Sequence, residues 1–257
     1  MKESFLKKDR PTIVGMLRAK TTKELLREID LILTQGVDAF GLQIERMPPE
    51  EKTAENYKKI FSAMQGKPAY VTNYARNNTL SLSDEELTDE LLLAVKCGAK
   101  LIDIRCDLFD RQADEYSTDK KAIEKQIEVI KKIKSMGAEV LMSAHVLKYI
   151  PCEKVLEIAL SQQERGVDIV KIVTEANSEA ELMDNFKTSI VLEEQLRVPV
   201  LFLCNGTHCK KHRIMGPLLN NGPFLVVENS NEGQNQPTIQ KAQEQLALAG
   251  YTKGNQL

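Results

Sequence analysis

The sequence lacks an excess of charge of either sign. Its 35 lysines and arginines and 37 aspartates and glutamates are mixed along the chain, for a formal charge of −2. No basic patch points to nucleic acid or to an anionic membrane. No apolar run approaches the ~18 residues that a membrane span requires. The N-terminal stretch MKESFLKKDRPTIVGML is polar and charged, without the apolar centre of a signal peptide. A soluble, cytoplasmic protein is the expectation. The five cysteines, Cys97, Cys106, Cys152, Cys204 and Cys209, are odd in number and widely spread, which excludes a disulfide framework. Cys204 and Cys209 have His208 and His212 nearby, but no second ligand pair falls at zinc spacing. Neither a metal nor another cofactor is expected. No GxGxxG follows the first apolar run, which argues against an open dinucleotide-binding sheet.

What is present is a regular alternation. Short runs rich in β-branched and apolar residues recur as TIVGML (12–17), AFGLQI (39–44), AYVTNY (69–74), KLIDIRC (100–106), EVLMSAHV (139–146), DIVKIV (168–173), VPVLFLCN (198–205) and PFLVVEN (223–229). Between them lie longer segments with leucine or isoleucine at helical spacing and charge elsewhere, such as TTKELLREIDLILTQG and SDEELTDELLLAVKCG. Thr21 or Thr22, Ser83, Ser117 and Ser178 suit N-caps, and Gly36, Gly66, Gly98, Gly137 and Gly166 fall where helices should end. Eight strands at intervals of roughly 30 residues, each followed by a helix, count out a (β/α)₈ TIM barrel. No linker or low-complexity run interrupts the pattern, so residues 1–257 are expected to form one barrel domain.

In such a barrel the active site lies at the C-terminal ends of the strands. Two residues there carry chemistry. Lys171 interrupts the apolar run of the sixth strand, and lysine is almost never fully buried without a reason. His145 stands near the end of the fifth. Adjacent strands are ~4.8 Å apart, so the two can share a pocket if both point inward. A lysine in an apolar pocket loses charge readily, and its neutral amine can attack a ketone to form a Schiff base. A neighbouring imidazole can then move protons at the carbon beside the imine.

The runs EVLMSAHVLKYIP, GVDIVKIV, KKHRIMGPLLN and NSNEGQNQP together resemble the type I 3-dehydroquinate dehydratases. The resemblance implies a (β/α)₈ barrel, usually dimeric, that holds the ketone of 3-dehydroquinate as a lysine imine while a histidine removes the adjacent proton and water leaves. The family's S-x-H is matched by Ser143-Ala144-His145, and its D-I-V-K by Asp168 to Lys171. Its S-R-x-x-G-P appears as His212-Arg213-Ile214-Met215-Gly216-Pro217, with histidine for serine. Its S-x-P-G-Q appears as Ser230-Asn231-Glu232-Gly233-Gln234, with glutamate for proline. Lys171 and His145 are thereby the expected catalytic pair. Arg213, Ser230 and Gln234 are the expected carboxylate-binding groups, and Ser143 is a further expected substrate contact.

The first half departs from the family. Its E-x-R-x-D after the second strand falls on Gly41, Gln43 and Glu45, and the arginine of its T-F-R falls on Tyr74 or is displaced to Arg76. Its D-x-E on the fourth strand becomes Asp103-Ile104-Arg105, and a methionine pair on the seventh becomes Leu203 and Asn205. The acid that supports the histidine has no clear counterpart. Gln43, Tyr74, Arg105 and Asn205 are therefore the expected contacts at the altered pole, and a shifted substrate preference follows from losing groups that read ring hydroxyls. The expected partner is a small cyclic keto acid, in a homodimer. A Schiff-base aldolase for a phosphorylated substrate is the alternative that Lys210 and Lys211 keep open, and a non-catalytic metabolite-binding descendant is the other.

Overall fold

Eight runs of apolar and β-branched residues form eight parallel strands, each followed by a helix. The computed structural model describes residues 4–75, 81–220, 222–228 and 235–251. The strands are β1 (Thr12–Leu17), β2 (Ala39–Gln43), β3 (Ala69–Thr72), β4 (Leu101–Arg105), β5 (Glu139–His145), β6 (Ile169–Glu175), β7 (Val200–Asn205) and β8 (Pro223–Val226). The helices are α1 (Thr22–Gln35), α2 (Ala54–Ala63), α3 (Asp84–Cys97), α4 (Lys120–Ser135), α5 (Cys152–Glu164), α6 (Glu179–Gln195), α7 (Cys209–Asn220) and α8 (Ile239–Leu248). Hydrogen-bonded neighbours run β7-β6-β5-β4-β3-β2-β1-β8, a nearly closed (β/α)₈ barrel whose seam lies between β7 and β8. No helix among the described residues is long and apolar enough to cross a membrane.

Local signals set the helix ends. Thr21 and Ser83 accept from the amides of Glu24 and Glu86, whose carboxylates reach back to the cap amides, closing two capping boxes. Gly36 and Gly98 end their helices at φ 81 and 118, a left-handed conformation that glycine enters without a Cβ penalty. Ser178 caps α6 as expected. Ser117 does not cap α4. Asp119 does, accepting from the Ala122 amide at 2.8 Å, while the buried Ser117 hydroxyl is drawn to Asp110 at 2.6 Å. The NGTHCKKHR segment that leaves β7 enters α7 at Cys209.

The period of two along each strand divides the apolar residues between two cores. Val170 and Ile172 face outward into the layer between strands and helices, with Phe40, Leu42, Val140, Met142 and Phe202. Ile169 and Val173 face inward with Val14, Met16, Tyr70, Leu101, Leu141, Leu201, Leu203 and Leu225, and Phe5 is part of the same inner cluster. Lys171 sits between Ile169 and Val173 in that alternation, so its side chain enters the barrel interior.

Packing also accounts for His212, which stands where the resemblance implies a serine. His212 on α7 is fully buried, its ring 5.3 Å from Phe186 and 5.2 Å from Phe202, with Nε2 3.0 Å from the Ser189 hydroxyl. A Cβ on Gly216 would come within 3.1 Å of this ring, so glycine leaves it room. Burial lowers the His212 pKa to about 4. The unfolded chain binds that proton near pH 6.5 and the folded chain does not, so stability falls as pH drops below ~6.5 and the loss levels off near pH 4. At 1.36 kcal/mol per unit the loss is at most ~3 kcal/mol. Replacing His212 by Phe should flatten this part of the denaturant-unfolding free energy measured between pH 7 and 4.5. An unchanged slope would clear His212 of the effect.

Candidate active site

β6 and its neighbours place the lysine. Ser143 on β5 is the register partner of Lys171, and β5 in turn pairs with β4. Lys171 is 4% exposed, and its ammonium donates to the Tyr70 hydroxyl at 3.1 Å, to the Tyr74 hydroxyl, and to Asp103 Oδ2 at 3.1 Å. Three protons thus meet three acceptors. Asp103, 2% exposed, accepts at the same oxygen from Tyr70 and from Tyr74, the latter at 2.5 Å. Its other oxygen takes the Ser143 hydroxyl at 2.6 Å. The pocket is therefore not apolar, as the sequence suggested, but a ring of phenols around an ion pair. Both tyrosine pKa values are raised, first by burial and then by Asp103, so the phenols stay protonated and act as donors.

Tyr74 lies just past the end of β3, and its ring meets the His145 ring edge-on at 4.8 Å. His145 Nδ1 is 2.6 Å from Glu115 Oε2, and the His145 amide donates to the same oxygen at 3.1 Å. Glu115 comes from the loop between β4 and α4 at φ 50, a left-handed backbone uncommon outside glycine. It supplies the supporting acid that had no visible counterpart in the sequence. Lys171 and His145 line one cavity of about 160 Å³ with Gln43, Thr72, Asn205, Arg213 and Gln236.

At the far wall Arg213 is 7% exposed, its Nε donating to the Cys204 carbonyl at 2.6 Å and its Nη2 to Asn205 Oδ1 at 2.5 Å. Asn235 donates to the same Asn205 oxygen at 3.1 Å. Behind Thr72 sits Glu45, which accepts the Thr72 hydroxyl at 3.0 Å. Burial pushes its carboxyl to about 7, so it exchanges between donor and acceptor near neutral pH.

The structure thus brings together Lys171, His145, Tyr74, Gln43, Asn205 and Arg213, with Ser143 behind Asp103. It does not bring Arg105 to the lysine. That guanidinium is held by Asp84 at 3.1 Å and Asp107 at 2.9 Å and lines a neighbouring cavity with Glu115. Gly41 offers no ligand group. A Cβ there would overlap the Met16 side chain, so its small size lets Met16 and Tyr70 pack inside the barrel. Ser230, Gln234 and Arg76 lie outside the described residues. Lys210 and Lys211 are exposed on α7, with Lys211 3.5 Å from Glu179, away from the cavity.

The family model for type I 3-dehydroquinase matches residues 13–253. The chain belongs to that family. No curated protein sequence matches it. Among solved structures it is similar to 3-dehydroquinate dehydratase from Geobacillus kaustophilus HTA426, with TM-score 0.82 and 14% identity over 95% of this chain and 93% of that one. The type I 3-dehydroquinate dehydratase from Clostridium difficile, solved with covalently modified comenic acid, gives TM-score 0.81 and 16% identity over 97% and 98%. The Enterococcus faecalis enzyme gives 0.78 and 16% over 93% and 94%. At these identities the likeness is one of fold.

Within the family fold, Tyr70 and Glu115 are residues that sequence reasoning passed over, and Asp103 was matched to a family position without a role. Tyr70 shares the inward parity of β3 with Thr72, a signal that was available. Glu115 stands in an irregular loop with no periodicity to read. The Lys171–Asp103 pair also makes a thermodynamic prediction. Removing one partner of a buried pair leaves an uncompensated charge, at a cost of ~3–5 kcal/mol, whereas replacing both by apolar groups is often neutral. Asp103→Ala should lose about that much in urea unfolding, and Asp103→Leu with Lys171→Met should recover most of it. Equal losses in the two variants would show that the charges are not coupled.

Proposed function

We propose that the chain is a Schiff-base-forming hydro-lyase that dehydrates 3-dehydroquinate, or a closely related cyclic keto acid, to the conjugated enone. One observation carries the reading. A buried lysine and a carboxylate-supported histidine share a cavity at the C-terminal ends of the strands, in a member of the type I 3-dehydroquinase family. Lys171 attacks the ketone, and the resulting protonated imine withdraws electrons from the neighbouring C–H bond. His145 takes that proton, with Glu115 fixing the ring and stabilising its positive charge. The hydroxyl on the next carbon leaves with a proton as water, and hydrolysis of the imine frees the lysine.

Arg213 is suited to the substrate carboxylate, because its planar fork is set by Cys204 and Asn205 and faces the cavity. Ser230 and Gln234 are proposed to join it on the strength of the motif match. At the other pole Gln43 and Tyr74, beside Thr72, stand where the family has charged groups, which favours a ring substituted differently from that of 3-dehydroquinate.

Dehydration is measured as kcat/KM on 3-dehydroquinate and a panel of cyclic keto acids. Arg213→Ala should lower the value for every carboxylate substrate by about 10–150-fold, the weight of one charge-assisted contact. His145→Ala should lower turnover by roughly 10²–10⁴-fold. Parental turnover in the His145 variant, or no dehydration across the panel, would overturn the assignment.

A further inference from the structure

Forming an imine requires more than a nucleophile. Two protons must leave the lysine nitrogen and depart on the carbonyl oxygen as water. Resting on the imine reading of Lys171, we propose that Tyr74, backed by Asp103, is the catalytic acid of this step and carries the lysine's own protons to that oxygen.

The geometry separates this task from that of His145. Among the described residues, the groups within hydrogen-bond distance of Nζ are the hydroxyls of Tyr70 and Tyr74 and Asp103 Oδ2. His145 Nδ1 is committed to Glu115, and its ring packs edge-on against the Tyr74 ring. Of the two phenols Tyr70 is the deeper, inside the barrel layer with Leu101 and Leu141, whereas Tyr74 lies beyond the strand end. Tyr74 also touches both proton stations, donating to Asp103 while accepting from Lys171. Because that hydroxyl is within hydrogen-bond distance of Nζ, it can reach the oxygen of a carbonyl whose carbon bonds to Nζ.

The step balances within the cluster. Lys171 gives one ammonium proton to Asp103, and the neutral nitrogen attacks the carbonyl carbon. A C–N bond forms as the π pair moves onto oxygen. A second nitrogen proton reaches that oxygen through the Tyr74 hydroxyl, and the proton held on Asp103 follows the same way. The C–O bond breaks, water leaves, and the nitrogen lone pair closes the C=N bond. Asp103 ends ionised opposite the protonated imine, so the pair carries the same charges before and after. Tyr70 and Ser143 hold the carboxylate in place throughout.

The test is the rate of covalent labelling with 3-dehydroquinate and borohydride, followed by rapid quenching and intact mass, in the parent, Tyr74→Phe and Tyr70→Phe proteins. At saturating 3-dehydroquinate the Tyr74 variant should label at least ~10²-fold more slowly, the usual weight of a general acid, yet reach the parental stoichiometry. The solvent deuterium isotope effect on labelling should disappear with it. A purely structural role would instead weaken 3-dehydroquinate binding and leave the saturated rate unchanged. Should Tyr74→Phe fold poorly, a difluorinated tyrosine at position 74 keeps the shape and must change the rate through its acidity. Labelling of Tyr74→Phe at the parental rate removes the relay and leaves the imine reading standing. A parent protein that takes no label from 3-dehydroquinate or from any cyclic keto acid of the panel removes both.

Discussion

An ammonium group inside a barrel is costly unless an opposite charge and enough hydrogen bonds accompany it. The Lys171–Asp103 pair meets that condition, and the site is arranged around it. The lysine uses its donors on Tyr70, Tyr74 and Asp103, and the Asp103 carboxylate accepts from the lysine, from both tyrosines and from Ser143. Each partner comes from a different piece of the barrel: β6 for the lysine, β5 for Ser143, β4 for Asp103, and β3 with its following turn for the tyrosines. Closing the barrel therefore assembles the cluster, and strand parity decides that these side chains meet inside.

The same economy shapes the rest of the pocket. Glu115 holds Nδ1 of His145 while the lysine is bonded to the two phenols and Asp103, so in the proposed mechanism proton transfer at carbon and proton transfer at nitrogen fall to different groups. Arg213 lies at the far wall, its orientation set by a backbone carbonyl and by Asn205. Gln43 and Thr72 face the remaining space, with Glu45 behind them at a pKa of about 7. A neutral or ionised Glu45 turns the Thr72 side of the cavity between donating and accepting, which gives that wall a pH dependence of its own.

Much of this was legible in the amino-acid order. Near-continuous β-branched runs such as DIVKIV read as buried parallel strands, and the capping residues Thr21, Ser83 and Ser178 stand where the helices begin. Lys171 and His145 announced themselves because a charged or titratable group in such a run breaks its pattern. Their partners did not. Tyr70 passes for an ordinary core aromatic, and Asp103 pairs with a lysine 68 residues away. Glu115 reaches His145 from a loop whose path depends on tertiary contacts. Arg105 shows the converse: position on β4 suggested a ligand, but Asp84 and Asp107 had already claimed its guanidinium.

The central claim is that the buried pair is a working nucleophile and not a structural salt bridge. A crystal structure of the protein after 3-dehydroquinate and borohydride treatment tests it most directly. Continuous density is expected from Lys171 Nζ to the former carbonyl carbon, with Tyr74 and Asp103 beside the nitrogen and the ligand carboxylate on Arg213. A ligand held without a covalent bond, above a Lys171 still closed on Asp103, would contradict it.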